Sequence, residues 1–320
     1  MTRSLVWLTM RGRGRIMRSM ESPHLTIQLN SYAKINLSLA VLGRRHDGFH
    51  DIESIMQSIS LNDTITLSLD EDEESEIRIS CNDPAIPTDE RNLVWKAATL
   101  LFQCWGISPG LDINIEKRIP SEAGLGGGSS NAATVLCGLN NLMKISVDDY
   151  RLFDLATEIG SDVPFFLTGG TALVHGRGEE IHHLPNVRPF WLSIIKPPFG
   201  ISTAWAYKRL DEIRKASPDL QATSSKRMIE CIERDGGKDL AKLLVNDLEA
   251  PVLQERPEIS NIKSELLHAG AQGALMSGSG SAVFGIFETE DEALAASRAL
   301  SSRGQTFTAT TIEQGFFAYE

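Results

Sequence analysis

Between Ser31 and Val41 polar and apolar residues alternate: Tyr32, Lys34, Asn36 and Ser38 interleave with Ala33, Ile35, Leu37 and Leu39. A period of two is that of a strand with two unlike faces, so Lys34 and Asn36 share one face. Strands are expected from Leu25 onward. "RRHDGFH" reads as a turn on Asp47-Gly48. "TITLSLD" and "EIRISC" read as two further strands, with the acidic run 70–76 as a solvated hairpin tip between them. At "NLVWKAATLLFQCWG" the spacing becomes that of an amphipathic helix, capped by Asn92 and stopped by Gly106. "LDINIEKRI" is a strand again. "NAATVLCGLNNLM" and "SVDDYRLFDLATEIG" read as helices, the second capped near Ser146 and ended at Gly160. "GSDVPFFLTGGTALVHGRGEEI" holds a short loop and then a hairpin.

A second half begins near Arg188. "FWLSIIKP" is a strand, and helices follow to about Leu267. "GALMSGSGSAVFGIF" gives two strand pieces around a Gly/Ser turn, "EDEALAASRALSS" a helix, and "QTFTATTI" a final strand. There is no internal repeat. The order is α+β in both halves and not the regular alternation of a doubly wound sheet. The expected division is 1–19 as a tail, 20–187 as one lobe and 188–320 as a second.

Composition adds limits. The chain has 320 residues, 42% of them hydrophobic, and a formal charge of −11, so it is a poor non-specific partner for nucleic acid. No apolar run is long enough for a membrane span. None of Cys81, Cys104, Cys137 and Cys231 has metal-ligand spacing. Cys104 and Cys137 fall in apolar helical patterns and read as core thiols in a reducing, cytoplasmic setting. The first 20 residues hold five arginines and no acid. Targeting peptides have this composition; the plainer reading is a tail, with Met17 or Met20 as the natural start.

One stretch demands chemistry. "PSEAGLGGGSSNAA" places four glycines and two serines within Gly124–Ser130, between a strand and a helix. That order aims free backbone amides and the positive end of a helix dipole at one point, which makes an anion site. Neither the Walker spacing nor the dinucleotide fingerprint is present. Ser129 and Ser130 add hydroxyls for an anion or for magnesium.

The stretch resembles the phosphate loop of the GHMP kinase superfamily. The triple glycine, with "EKRIP" before it and Ser-Ser-Asn after it, is similar to the branch that phosphorylates 4-diphosphocytidyl-2-C-methyl-D-erythritol. "AKINLSLAVLGRRHDGFH", "GSDVPFFLTGGTALVHGRGE" and "SGSGSAVFGIF" resemble other motifs of that branch or superfamily. The resemblance implies a two-lobed α+β fold, with a ribosomal-protein-S5-like N-terminal lobe, a ferredoxin-like C-terminal lobe, and ATP and acceptor in the cleft. It implies ATP with Mg²⁺ as cofactor and a small cytidine diphosphate sugar alcohol as partner.

The resemblance also assigns residues. Asp162 matches the general base and Lys34 its charge-stabilising partner. Pro120, Ser121, Glu122, Ala123, Gly124, Leu125, Gly126, Gly127, Gly128, Ser129, Ser130 and Asn131 match the loop that cradles ATP; Asn92, Leu93 and Lys117 match further ATP contacts. Phe49 and His50 match the nucleobase pair, and Tyr207 the opposite stacking aromatic. Asn36 and Thr203 match polar substrate contacts. Taken alone, Asp162 also reads as a helix cap, Asn92 as a cap, and Lys117 and His50 as surface residues. Asn62-Asp63-Thr64 fits a glycosylation sequon without consequence in a cytosolic protein.

Overall fold

The computed structural model describes residues 25–74, 76–144, 149–217, 219–313 and 316–318; the Arg-rich stretch and Ser146 lie outside them. Two long strands organise the first half. β1 (Leu25–Arg44) and β2 (His50–Glu74) pair antiparallel, with register shifts at Tyr32/Ala33, Asn36/Ser38 and Val41/Gly43. Such bulges bend a strand and re-aim its side chains, and two of them bracket Lys34 and Asn36. β3 (Ile77–Cys81) does not fold back on β2. It runs parallel to β4 (Pro109–Glu116), which itself pairs with β2. The acidic run is therefore not a hairpin tip. β4 takes the inner slot because Leu111, Ile113 and Ile115 are fully buried, whereas β3 is half exposed and suits an edge.

Helices cover one face of this sheet. α1 (Leu93–Trp105) is capped by the Asn92 side chain on Val94 N–H and ends at Gly106 in the left-handed region. α2 (Gly127–Leu142) starts earlier than its apolar pattern indicates, because Gly127 and Gly128 are already helical. α3 (Asp149–Ile159) follows. A short helix, α4 (Val163–Phe166), stands where a loop was expected, with a proline in its first turn. The hairpin β5 (Thr171–His175) and β6 (Glu180–His183) joins the sheet through β2. Val94, Ala97, Leu101 and Phe102 turn inward, so Cys104 falls on the outer side of α1 and is exposed, and Cys137 is half-buried. Neither is the core thiol expected; the buried cysteine is Cys231, and none of the four is in a disulfide.

The second half contributes β7 (Trp191–Lys196), α5 (Thr203–Ala216), α6 (Lys226–Asp235), β8 (Val245–Asn246), α7 (Glu249–Glu255) and α8 (Pro257–His268). It continues through β9 (Gly273–Met276), β10 (Val283–Phe287), α9 (Glu290–Ala299), β11 (Gln305–Thr310) and β12 (Phe316–Ala318). A four-stranded antiparallel sheet runs β11-β7-β10-β9. Two strands of this half return to the first sheet: β8 pairs parallel and β12 antiparallel with β1.

Between the sheets lies one apolar cluster holding Ile35, Leu37, Ile55, Leu192, Ile194 and Phe284. Residues 33–41 of β1 are buried throughout, so this strand runs between the two lobes. Among the described residues no helix is long and apolar enough to cross a membrane.

Candidate active site

The glycine stretch is held from two sides. Lys34 N–H donates to Leu125 O (3.0 Å), and Ala282 N–H donates to Ala123 O (3.1 Å). The Gly124 carbonyl accepts from Lys34 Nζ (3.0 Å) and Ser277 Oγ (2.9 Å). Gly124 and Gly126 take φ of +74° and +72°, a region that favours glycine. A side-chain carbon at Gly124 would also strike the Ser277 carbonyl. Gly128 differs: space opens above it, with only Leu93 at 3.9 Å. The loop thus presents bare backbone to a cavity of about 350 Å³. Every ATP-assigned residue lines that cavity except Ser130, together with Ile86, Pro87 and Arg91, which sequence reasoning missed. Ser130 turns inward, its hydroxyl bonded to Tyr32 O (2.6 Å) and Ser31 Oγ (2.7 Å). The Asn92 amide is occupied as a helix cap and donates to Pro87 O (2.7 Å).

A second cavity, about 570 Å³, adjoins the first, with Glu122, Gly124 and Gly126 as common wall. Lys34, Asn36, Asp162, Thr203 and Tyr207 line it. Lys34 Nζ lies 3.7 Å from Asp162 Oδ2 and donates to Asn36 Oδ1 (2.6 Å). Asn36 in turn donates to Ser54 Oγ (2.8 Å). Asp162 occupies the N-cap position of α4 yet makes no capping bond, so its carboxylate is free to face the cavity. Lys34 is 3% exposed, and Asp162 keeps a third of its side chain open. Burial pushes the Lys34 ammonium below the ordinary lysine range, and the Asp162 charge opposes that shift. Burial, and then the charge of Asp162, push the Tyr207 phenol up, so it stays protonated.

The two remaining aromatic assignments stand outside both cavities. His50 stacks on Tyr207 (4.8 Å between ring centres) and its Nε2 meets Asp211 Oδ1 at 3.0 Å. Phe49 is half exposed, with the Arg177 guanidinium 5.1 Å over its ring. Thr203 Oγ1 bonds Ser279 Oγ (2.9 Å), so the Gly/Ser turn between β9 and β10 also borders the second cavity.

Among the described residues no three His, Cys, Asp or Glu side chains gather as a metal cage. Around the two cavities the donors are loop amides, the Ser129 hydroxyl and the separate carboxylates of Glu122 and Asp162. Such a set fits a divalent cation that arrives with phosphate oxygens as ligands.

Sequence reading also passed over Asp63 as a site residue. It is fully buried on β2 and accepts from Arg118 N–H (2.7 Å), Ile119 N–H (2.8 Å), Asn131 Nδ2 (2.9 Å) and the Lys117 ammonium. Nothing local in the sequence announces a buried carboxylate.

The pattern of the GHMP kinases N terminal domain matches residues 92–170, and that of the GHMP kinases C terminal family matches residues 228–306. A Geobacter metallireducens protein named 4-diphosphocytidyl-2-C-methyl-D-erythritol kinase is 40% identical over 282 residues, 88% of this chain and 96% of its own. A Bacillus pumilus protein of the same name is 44% identical over 261 residues, 81% of this chain and 88% of its own. The crystal structure of a 4-(cytidine 5'-diphospho)-2C-methyl-D-erythritol kinase superposes with a TM-score of 0.74 at 33% identity, covering 89% of this chain and 98% of that one. A homoserine kinase from Cytophaga hutchinsonii shares the fold at 19% identity, with a TM-score of 0.71 over 96% of this chain and 100% of its own. Both halves thus carry the family's patterns around a glycine loop that faces a lysine–aspartate pair: the chain belongs to the GHMP kinase family, with proteins named 4-diphosphocytidyl-2-C-methyl-D-erythritol kinase among its relatives, and is an ATP-dependent kinase.

Proposed function

We infer that this kinase moves the γ-phosphoryl of ATP to the 2-hydroxyl of 4-diphosphocytidyl-2-C-methyl-D-erythritol, giving the 2-phosphate and ADP. The step belongs to the methylerythritol phosphate route to isopentenyl diphosphate, in the cytoplasm. The acceptor comes from the names of relatives 40% or more identical. The observation that carries the chemistry is the Lys34–Asp162 pair, 3.7 Å apart in a cavity walled by the glycine loop.

An alcohol is a weak nucleophile at neutral pH, so a carboxylate within reach of its proton helps. Asp162 takes that proton as the oxygen bonds to the γ-phosphorus and the bond to the β-phosphate oxygen breaks. Lys34 orients the hydroxyl and offsets charge on the moving group. The amides of Gly127, Gly128 and Ser129 at the start of α2 hold the polyphosphate. Mg²⁺ bound with ATP, with Ser129 as a protein ligand, would neutralise phosphate charge. Asn36 and Thr203 hold the acceptor's polar groups. Tyr207, with its stacked neighbour His50 and with Phe49, holds the cytosine. In this reading residues 20–187 carry the nucleotide and 188–320 close the acceptor side.

The test is ADP release from Mg-ATP with the cytidyl diphospho-methylerythritol acceptor, compared with mevalonate and homoserine. Turnover only with the first is expected. Equal or better turnover with either of the others would replace the acceptor assignment and leave the kinase reading in place.

A further inference from the structure

Both ends of the glycine loop converge on one carboxylate. Oδ1 of Asp63 accepts the backbone N–H groups of Arg118 and Ile119, where the chain enters the loop. Oδ2 accepts from the Asn131 amide, where the chain leaves it, and from the Lys117 ammonium. Asn131 Nδ2 also donates to Ser31 Oγ (2.9 Å), and its Oδ1 accepts from Lys117 (3.3 Å). The ammonium sits against the first turn of α2: a side-chain carbon on Gly127 would stand 3.1 Å from Lys117 Nζ. Lys117 also lines the nucleotide cavity.

Stability alone does not account for this arrangement. Removing a carboxylate from water is costly, and apolar residues of similar volume serve a core as well or better. Asp63 is fully buried, and its bonds reach backbone and side chains that frame the loop. We propose that Asp63 is a positioning residue for the nucleotide: it clasps both ends of the loop and fixes the Lys117 ammonium beneath the amides that receive the polyphosphate. This rests on the reading that the loop holds ATP.

The test compares wild type with Asp63→Asn and Asp63→Glu, measuring dissociation constants for a non-hydrolysable Mg-ATP analogue and for the acceptor, and KM and kcat for ATP. In folded Asp63→Asn the constant for the analogue and the KM for ATP are expected to rise at least tenfold. The acceptor constant and kcat should move less than threefold. Asp63→Glu keeps the charge that pairs Lys117 and displaces it by one methylene, so it gives the same split at a smaller size, about threefold, should Asp63→Asn not fold. A folded variant with wild-type nucleotide affinity, or one that loses both ligands equally, overturns the proposal by reducing Asp63 to a structural role. Gly128→Val separates the two readings: if it leaves analogue affinity unchanged, the loop is not the ATP site, whatever Asp63 does.

Discussion

At the scale of single residues, the site is a set of charges whose environments differ. Asp162 retains solvent contact while Lys34 is buried beside it, so the lysine carries the desolvation cost. Its ammonium is charged below its lowered pKa and neutral above it. The alkaline limb of the kcat/KM profile is therefore expected below the ordinary lysine range, and Tyr207→Phe should leave that limb in place because the phenol titrates higher still. Asp162→Asn should lower kcat by roughly 10²–10⁴-fold, the span of a general base, while calorimetry finds Mg-ATP binding nearly unchanged. Normal turnover in that variant would remove Asp162 from the role. The shared face of Lys34 and Asn36 was legible because alternation fixes which side chains stand together on a strand. The contact with Asp162 came only from the resemblance: it depends on where α4 docks, and no local pattern encodes that. Asp63 was hidden for the same reason, since its partners come from residues 117–119, just after β4, and from α2.

At the scale of elements, the glycines of one loop divide into two kinds. Gly126 has a left-handed φ, and a side-chain carbon there would meet the Phe166 ring at 2.6 Å and Lys34 Cγ at 3.1 Å. Gly126→Ala is expected to cost about 1–3 kcal/mol in denaturant or thermal unfolding, from strain and overpacking together. Gly128 sits inside α2 with open space above it. Gly128→Ala should instead hold or raise stability, by up to about 1 kcal/mol of helix propensity, and weaken Mg-ATP binding. The pair of measurements distinguishes glycine needed for backbone shape from glycine needed for access. The amphipathic period of α1, with Asn92 and Gly106 at its ends, was readable in full because caps and apolar spacing are local signals. The place of β3 was not, because sheet order is decided by which strand can be buried on both sides.

At the scale of the whole molecule, the two cavities share a wall formed by one loop, and that loop is bonded to both lobes. A nucleotide seated there stabilises the folded chain through mass action. At a hundredfold excess over its dissociation constant, a Mg-ATP analogue should add about 2.7 kcal/mol, read as a rise in melting temperature. Absence of any rise would mean that the folded chain does not hold the nucleotide. The α+β class was legible from element order and the two lobes from the resemblance, but the exchange between lobes was not: two- and three-residue strands such as β8 and β12 carry too little pattern to be read. That exchange has a mechanical consequence. The polypeptide crosses into the second body and comes back to lie along β1, so the halves are stitched at more than one seam. Two fastenings along one edge of β1, at residues 29–31 and 38–39, resist a wide gape. Substrate entry and product exit in this enzyme are therefore expected to proceed by slight sliding and loop adjustment, which small-angle scattering would register as an almost constant radius of gyration with and without nucleotide.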